Sequence, residues 1–260
     1  MRAKMKGMGG RFVGALAALA ALALAAGIAQ GEVIDLNKMR VVVGGNVKPK
    51  RLPAKRMAPV ALRLHYRAKM TDGSVPPALA RMQLDFDRDG RMDQRGLPSC
   101  REGQLANAST NQALARCRRA LVGRGEARAI IDLPDQDPFP ARGRLLAFNG
   151  GRRGGARIVL LHTNVRAPVP TAIVAVARVT RSPRRGFRHR MTVAIPEIAG
   201  GNGSLVSFNL ELKRRWTHKR KRRSFIYARC SQGSLQVHGD LRWGNGDLVN
   251  GLIIRTCRKR

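Results

Sequence analysis

Aromatic residues are scarce: two Trp, two Tyr and seven Phe make up 4% of 260 residues. Single-strand binders stack bases on aromatic side chains, and sugar-binding clefts are commonly lined by them. Specific nucleic-acid recognition is therefore not expected, and a carbohydrate-cleaving cleft is disfavoured. Acidic residues are also few, 16 against 50 Lys and Arg. No apolar run reaches the roughly 20 residues of a membrane-spanning helix. The longest, Phe12 to Ala26, is followed by small residues. Missing too are HExxH, paired CxxC, GxSxG and the Lys-Ser/Thr of a phosphate-binding loop. Their absence removes the usual signatures of zinc sites, serine hydrolases and P-loop enzymes. No cofactor and no metal are expected.

What is present begins with export. Arg2, Lys4, Lys6 and Arg11 form a basic head before the apolar run, and Gly27-Ile28-Ala29 offers small residues for cleavage. Basic, apolar, small is the order of a secretory signal. Residues 1–29 are read as that signal, and a secreted or envelope-associated product is expected. The alternative is an anchor formed by an uncleaved apolar segment, which would then be the only membrane contact. Removing 29 residues with four basic and no acidic side chains, from a chain of +34, leaves 231 residues carrying +30. Such a charge attracts polyanions. GC-rich codons would also favour the 39 Arg, so the excess alone does not establish a function.

Four cysteines in an exported chain point to two disulfides. Three pairings are possible. Cys100–Cys117 and Cys230–Cys257 are favoured, because each brackets one compact segment. A zinc site would need a closer ligand motif.

Residues 30–56, with Gly44-Gly45, Pro49, Pro53 and several like charges, read as a flexible basic linker. From 57 to 260 the pattern is short alternating runs between Gly and Pro turns. Val60 to Tyr66, Met82 to Asp87, Ala127 to Leu133, Arg144 to Phe148, Ile158 to His162, Ala172 to Thr180, Arg188 to Ile195, Leu205 to Leu212, Ser224 to Cys230, Ser234 to Trp243 and Leu248 to Thr256 are expected strands. A short helix is expected near Asn111 to Ala120, capped by Asn107, Ser109 or Thr110. The fold class is all-β: a sandwich-like or barrel-like antiparallel domain, disulfide-stapled, with one short helix between the first two cysteines.

Gly96-Leu97-Pro98-Ser99-Cys100, Phe148-Asn149-Gly150-Gly151, Ile198-Ala199-Gly200-Gly201, Ala228-Arg229-Cys230 and the final Cys257 occur in this order. Together they resemble a group of secreted actinobacterial proteins with two cysteine pairs and no assigned activity. The resemblance covers about residues 57–257 and implies a shared exported fold, but no chemistry.

Asp85, Asp87, Asp89 and Asp93 mimic a calcium loop, but Gly96 stands where the bidentate Glu belongs. The expectation is a hairpin turning at Arg88-Asp89-Gly90, with its acids facing water. His238 and Asp240 share a strand face without a nucleophile, and are expected to be solvated. His65 and His162 are expected to face water. Asp132, Asp135 and Asp137 crowd Pro134 and Pro138, the pattern of a turn. Gly150-Gly151-Arg152-Arg153-Gly154-Gly155 also reads as a turn. No catalytic residue is assigned.

The densest feature is basic. Lys213, Arg214, Arg215, Lys219, Arg220, Lys221, Arg222 and Arg223 surround Trp216 in one eleven-residue stretch between two strands. A hairpin tip would hold these charges together, with Trp216 either anchored in the core or stacked on a ligand. The function expected is a secreted, non-enzymatic β domain associating with anionic envelope polymers, such as wall polymer or acidic polysaccharide, through a basic surface. The alternatives are an extracellular hydrolase and a structural or protein-binding module.

Overall fold

The computed structural model describes residues 31–165 and 170–260. The expected signal lies outside the described residues. Twelve strands form one antiparallel sheet: β1 (Glu32–Leu36), β2 (Met39–Lys48), β3 (Ala61–Met70), β4 (Leu79–Asp87), β5 (Leu121–Ile131), β6 (Phe139–Arg153), β7 (Ala156–Val165), β8 (Thr171–Arg181), β9 (Phe187–Ala194), β10 (Gly203–Leu212), β11 (Ser234–Trp243) and β12 (Leu248–Thr256). Their order is β1-β2-β3-β10-β5-β6-β7-β8-β9-β4-β11-β12. The sheet curls until β1 meets β12. There Ile34 lies 3.2 Å from where a Cβ on Gly251 would sit, although the two strands make no ladder. The domain is thus a nearly closed barrel.

Period-two alternation sorts the side chains. Leu62, Leu64, Tyr66 and Ala68 point inward from β3, while Arg63, Arg67 and Lys69 are exposed. Other strands repeat this: Arg124 and Arg128 outside on β5, Arg142 and Arg144 on β6, Arg178 on β8. Apolar inside and charged outside is the reverse of a lipid-facing barrel. The interior retains apolar voids of about 110, 90 and 50 Å³, which meet at Leu64.

Residues 97–120 cover the outer face of β6 and β7. Leu105, Ala108, Ala113 and Cys117 pack on Leu146, Phe148, Ile158 and Leu160. The segment contains the expected helix, α1 (Thr110–Cys117). Ser109 caps it, and the Gln112 side chain closes the capping box. Cys100–Cys117 staples this layer, with Cα atoms 5.5 Å apart. Cys230–Cys257 (6.0 Å) ties the chain leaving β12 to the segment that enters β11.

Four expectations change. The basic linker is not a linker: β1 and β2 lie within it and are part of the barrel. Met39 and Val41 are buried in the wall, and Gly44 lies flat against the His65 ring, where a Cβ would come within 2.2 Å. The turn at Arg88-Asp89 does not make a hairpin. β4 pairs with β9 and β11, whereas Gly90–Met92 pairs with Ile226–Ala228. His162 does not face water. It is buried beneath residues 105–113, with Nε2 2.8 Å from the Ala108 carbonyl. His65 is half-buried, and burial followed by the Arg255 charge lowers its pKa.

One end of the barrel is stoppered. A small sheet of Ala58–Pro59, Ile226–Ala228 and Gly90–Met92, together with Leu52, Val60 and Phe225, fills it. The non-barrel strands collect at this capped end.

Candidate anion-binding face

The basic run forms a separate two-stranded ribbon, Arg215–His218 against Lys221–Ser224. Its register places Trp216 opposite Arg223 and His218 opposite Lys221, so these four share one side. Arg215, Thr217 and Arg222 lie on the other. The first side faces the body. Trp216 Nε1 donates to the Arg95 carbonyl at 3.0 Å, and Arg223 Nη1 donates to Asp93 Oδ2 at 3.0 Å. The His218 ring lies against Gly96, which is at φ +72°; a Cβ there would come within 2.1 Å of Nδ1.

The sequence-derived candidates therefore divide. Trp216 is an anchor of the ribbon rather than a free stacking surface. Arg223 is an internal ion pair. Lys213 pairs with Glu211 at 2.8 Å, and Arg214 is half-buried. Arg215, Lys219, Arg220, Lys221 and Arg222 are exposed and have no carboxylate partner among the described residues. Lys219 and Arg220 form the tip, at φ +48° and +59°. Two successive left-handed residues define a type I′ turn, for which Asn-Gly is the low-strain choice. Lys and Arg are strained there, and the turn leaves both cations exposed at the ribbon's tip.

Beside the ribbon, sharing Asp93 and Arg95 with its dock, lies a cavity of about 440 Å³, which sequence reasoning missed. Arg91, Asp93, Gln94, Arg95, Arg152 and Arg157 contribute its polar lining. Arg152 and Arg157 face each other across the β6–β7 ladder, and like charges directly opposite are destabilising. Burial, then the neighbouring Arg152, lowers the pKa of Arg157 from the usual arginine range, with Asp93 opposing. The Arg91 guanidinium sits 4.9 Å from the Tyr227 ring centroid, and its Nε has no partner. The clue in the sequence was three arginines around a glycine hairpin. The Gly154-Gly155 turn explained the glycines and left the arginines unused.

The aspartates expected on a wet surface are instead buried ties. Asp85 accepts from Arg190 (2.8 and 2.7 Å), Ser182 (2.7 Å) and Arg184 (3.3 Å). Asp89 accepts from Arg229 at 2.7 Å and from Ser231. Asp93 binds Arg95 and Arg223. Burial would raise the Asp93 pKa, but hydrogen bonds and charge from its arginines hold it at about 2. Asp85 and Asp89 are lowered by the same balance. Asp87, with only backbone donors, is raised by burial.

Asp85, His238 and Asp240 could bring three ligand atoms within 4.8 Å of one another. Two arginines already occupy Asp85, and His238 Nδ1 lies 3.7 Å from Asp240. His238 and Asp240 are half-buried members of this network, not a solvated pair. Asp132, Asp135 and Asp137 are exposed on one loop and line none of the cavities described above.

Comparison with protein-family models, curated proteins and solved structures finds no match for this chain. Two disulfides are consistent with an oxidising, extracellular setting. Among the described residues no helix is long and apolar enough to cross a membrane.

Proposed function

We propose that the protein is a secreted, non-enzymatic binding domain whose capped end holds anionic polymers of the cell envelope. The observation that carries this reading is the ribbon tip, where unpaired Lys219 and Arg220 occupy strained left-handed positions. Glycine would avoid the strain of those positions, and both are instead filled by exposed cations without a carboxylate partner among the described residues. Arg215 and Arg222 extend the cationic edge on the ribbon's outer side. The exposed Arg51, Arg258, Lys259 and Arg260 belong to the same end, where Arg258–Lys259 pairs with Arg51–Leu52. The carboxylates that could neutralise this end, Asp89 and Asp93, are already engaged by Arg229, Arg95 and Arg223.

The ribbon packs through Trp216, His218 and Arg223, so its exposed cations, which make none of these docking contacts, can be changed without undoing the dock. Replacing Lys219, Arg220, Lys221 and Arg222 by Ser tests the reading. The variant should keep its thermal midpoint and bind poly(glycerol phosphate) about tenfold or more weakly at low salt. Unchanged affinity would mean that the ribbon is only a solvated surface.

A further inference from the structure

The cavity beside the ribbon has an unusual charge balance. Arg91, Arg95, Arg152 and Arg157 line it with one carboxylate, Asp93. Asp93 is taken by Arg95, and by Arg223 from the ribbon. No carboxylate within hydrogen-bonding or ion-pairing distance serves Arg91, Arg152 or Arg157 among the described residues. Arg152 and Arg157 are held opposite each other by the register of β6 and β7. Arg91 is fixed over Tyr227 with an idle Nε–H. Three arginines thus line, with donors unspent, a volume of about 440 Å³, within the size range of small-molecule sites. A guanidinium fork matches an oxyanion with several equivalent oxygens, and arginine is the side chain favoured for that geometry.

We infer that this cavity is a binding site for a single phosphate group, with Arg91, Arg152 and Arg157 as its donors and Arg95 at the rim. The group is a repeat of a phosphodiester polymer that then runs out along the ribbon. The inference deepens the polyanion reading and rests on it for the polymer, but the phosphate site stands on its own residues. Bound phosphate would neutralise the Arg152–Arg157 repulsion, so occupancy should also stabilise the β6–β7 hairpin.

The test is calorimetric titration of the full, disulfide-intact chain at low salt with inorganic phosphate, poly(glycerol phosphate) and polygalacturonate. Wild-type protein should bind inorganic phosphate saturably and gain thermal stability from it. Arg152→Gln/Arg157→Gln should weaken phosphate binding by about tenfold or more. Its thermal midpoint without phosphate should be equal to or above wild type, because a like-charge pair is gone. Arg91→Gln, on a different strand, should weaken phosphate binding as well, which separates a site effect from a local distortion of the hairpin. The ribbon variant should keep inorganic phosphate binding and lose polymer affinity. If it instead keeps polymer affinity while the cavity variants lose it, the ribbon reading fails and the phosphate site stands. No saturable phosphate binding by wild type, or wild-type binding by the double variant, overturns the inference. So does an equal loss toward polygalacturonate, which would mark the arginines as generic cations.

Discussion

Asp93 shows how single residues hold this basic chain together. It is 5% exposed, and it joins the segment after β4 to the ribbon through Arg223. Asp85 and Asp89 do the same for the β8–β9 turn and for the approach to β11. Each has a folded pKa below its unfolded value of about 4. Their stabilisation is therefore complete above that value and is lost as pH falls through the folded pKa, about 2 for Asp93. Asp87 has the opposite sign, because its raised pKa favours the protonated form in the fold. Three lowered groups outweigh one raised group. The thermal midpoint should fall steeply between about pH 4 and pH 2. Asp93→Asn should lower it at neutral pH and flatten that acid limb. Equal midpoints for wild type at pH 2 and pH 7 would refute this account of the aspartates.

At the scale of elements, the inner wall has room to spare. Ala175 faces the void of about 110 Å³, and Leu161 lines it from the neighbouring strand. Ala175→Val should stabilise by about 0.5–2 kcal/mol by filling space. Leu161→Ala should destabilise by about 2–5 kcal/mol by enlarging it. Denaturant titration distinguishes the signs, and destabilisation by the filling substitution would show that the void is not accessible to one more methyl pair. Gly96→Ala places a Cβ in the His218 ring. It should lift the ribbon from residues 93–97, quench or shift Trp216 fluorescence, and leave the barrel's far-ultraviolet signal intact. Unaltered Trp216 fluorescence would argue against this docking.

These elements also show what the sequence made readable. β11 and β12 match their expected bounds because the alternation of β11, the apolar β-branched residues of β12 and the Asn245-Gly246-Asp247 turn specify them locally. The capped helix and both cysteine pairs are likewise local. β1 and β2 were hidden by glycines and charges, since β2 is a strand mainly through its pairing with β3 and β1 through its pairing with β2, which no local pattern states. The aspartate run looked like a wet hairpin because its arginine partners lie up to 140 residues away. The phosphate cavity draws on residues 91–99, 149–152 and 157, three segments that only the closed sheet brings together.

On the scale of the whole molecule, the barrel acts as a rigid mount. Its apolar interior supplies stability, its outer wall carries scattered arginines, and its capped end concentrates cations that lack internal partners. Long-range attraction of a polyanion to such an end depends on ionic strength, whereas a stereospecific pocket depends on it less. The central claim is that the ribbon's unpaired cations bind polymer through counterion release. The measurement that tests it most directly is the slope of log affinity against log salt for poly(glycerol phosphate), in wild type and in the ribbon variant lacking Lys219, Arg220, Lys221 and Arg222. At about 0.7 per neutralised phosphate, the value for a single-stranded polyanion, removing four contacts should make the slope shallower by about 3. Parallel lines for the two proteins would contradict the claim and leave the ribbon's charge without a role in binding.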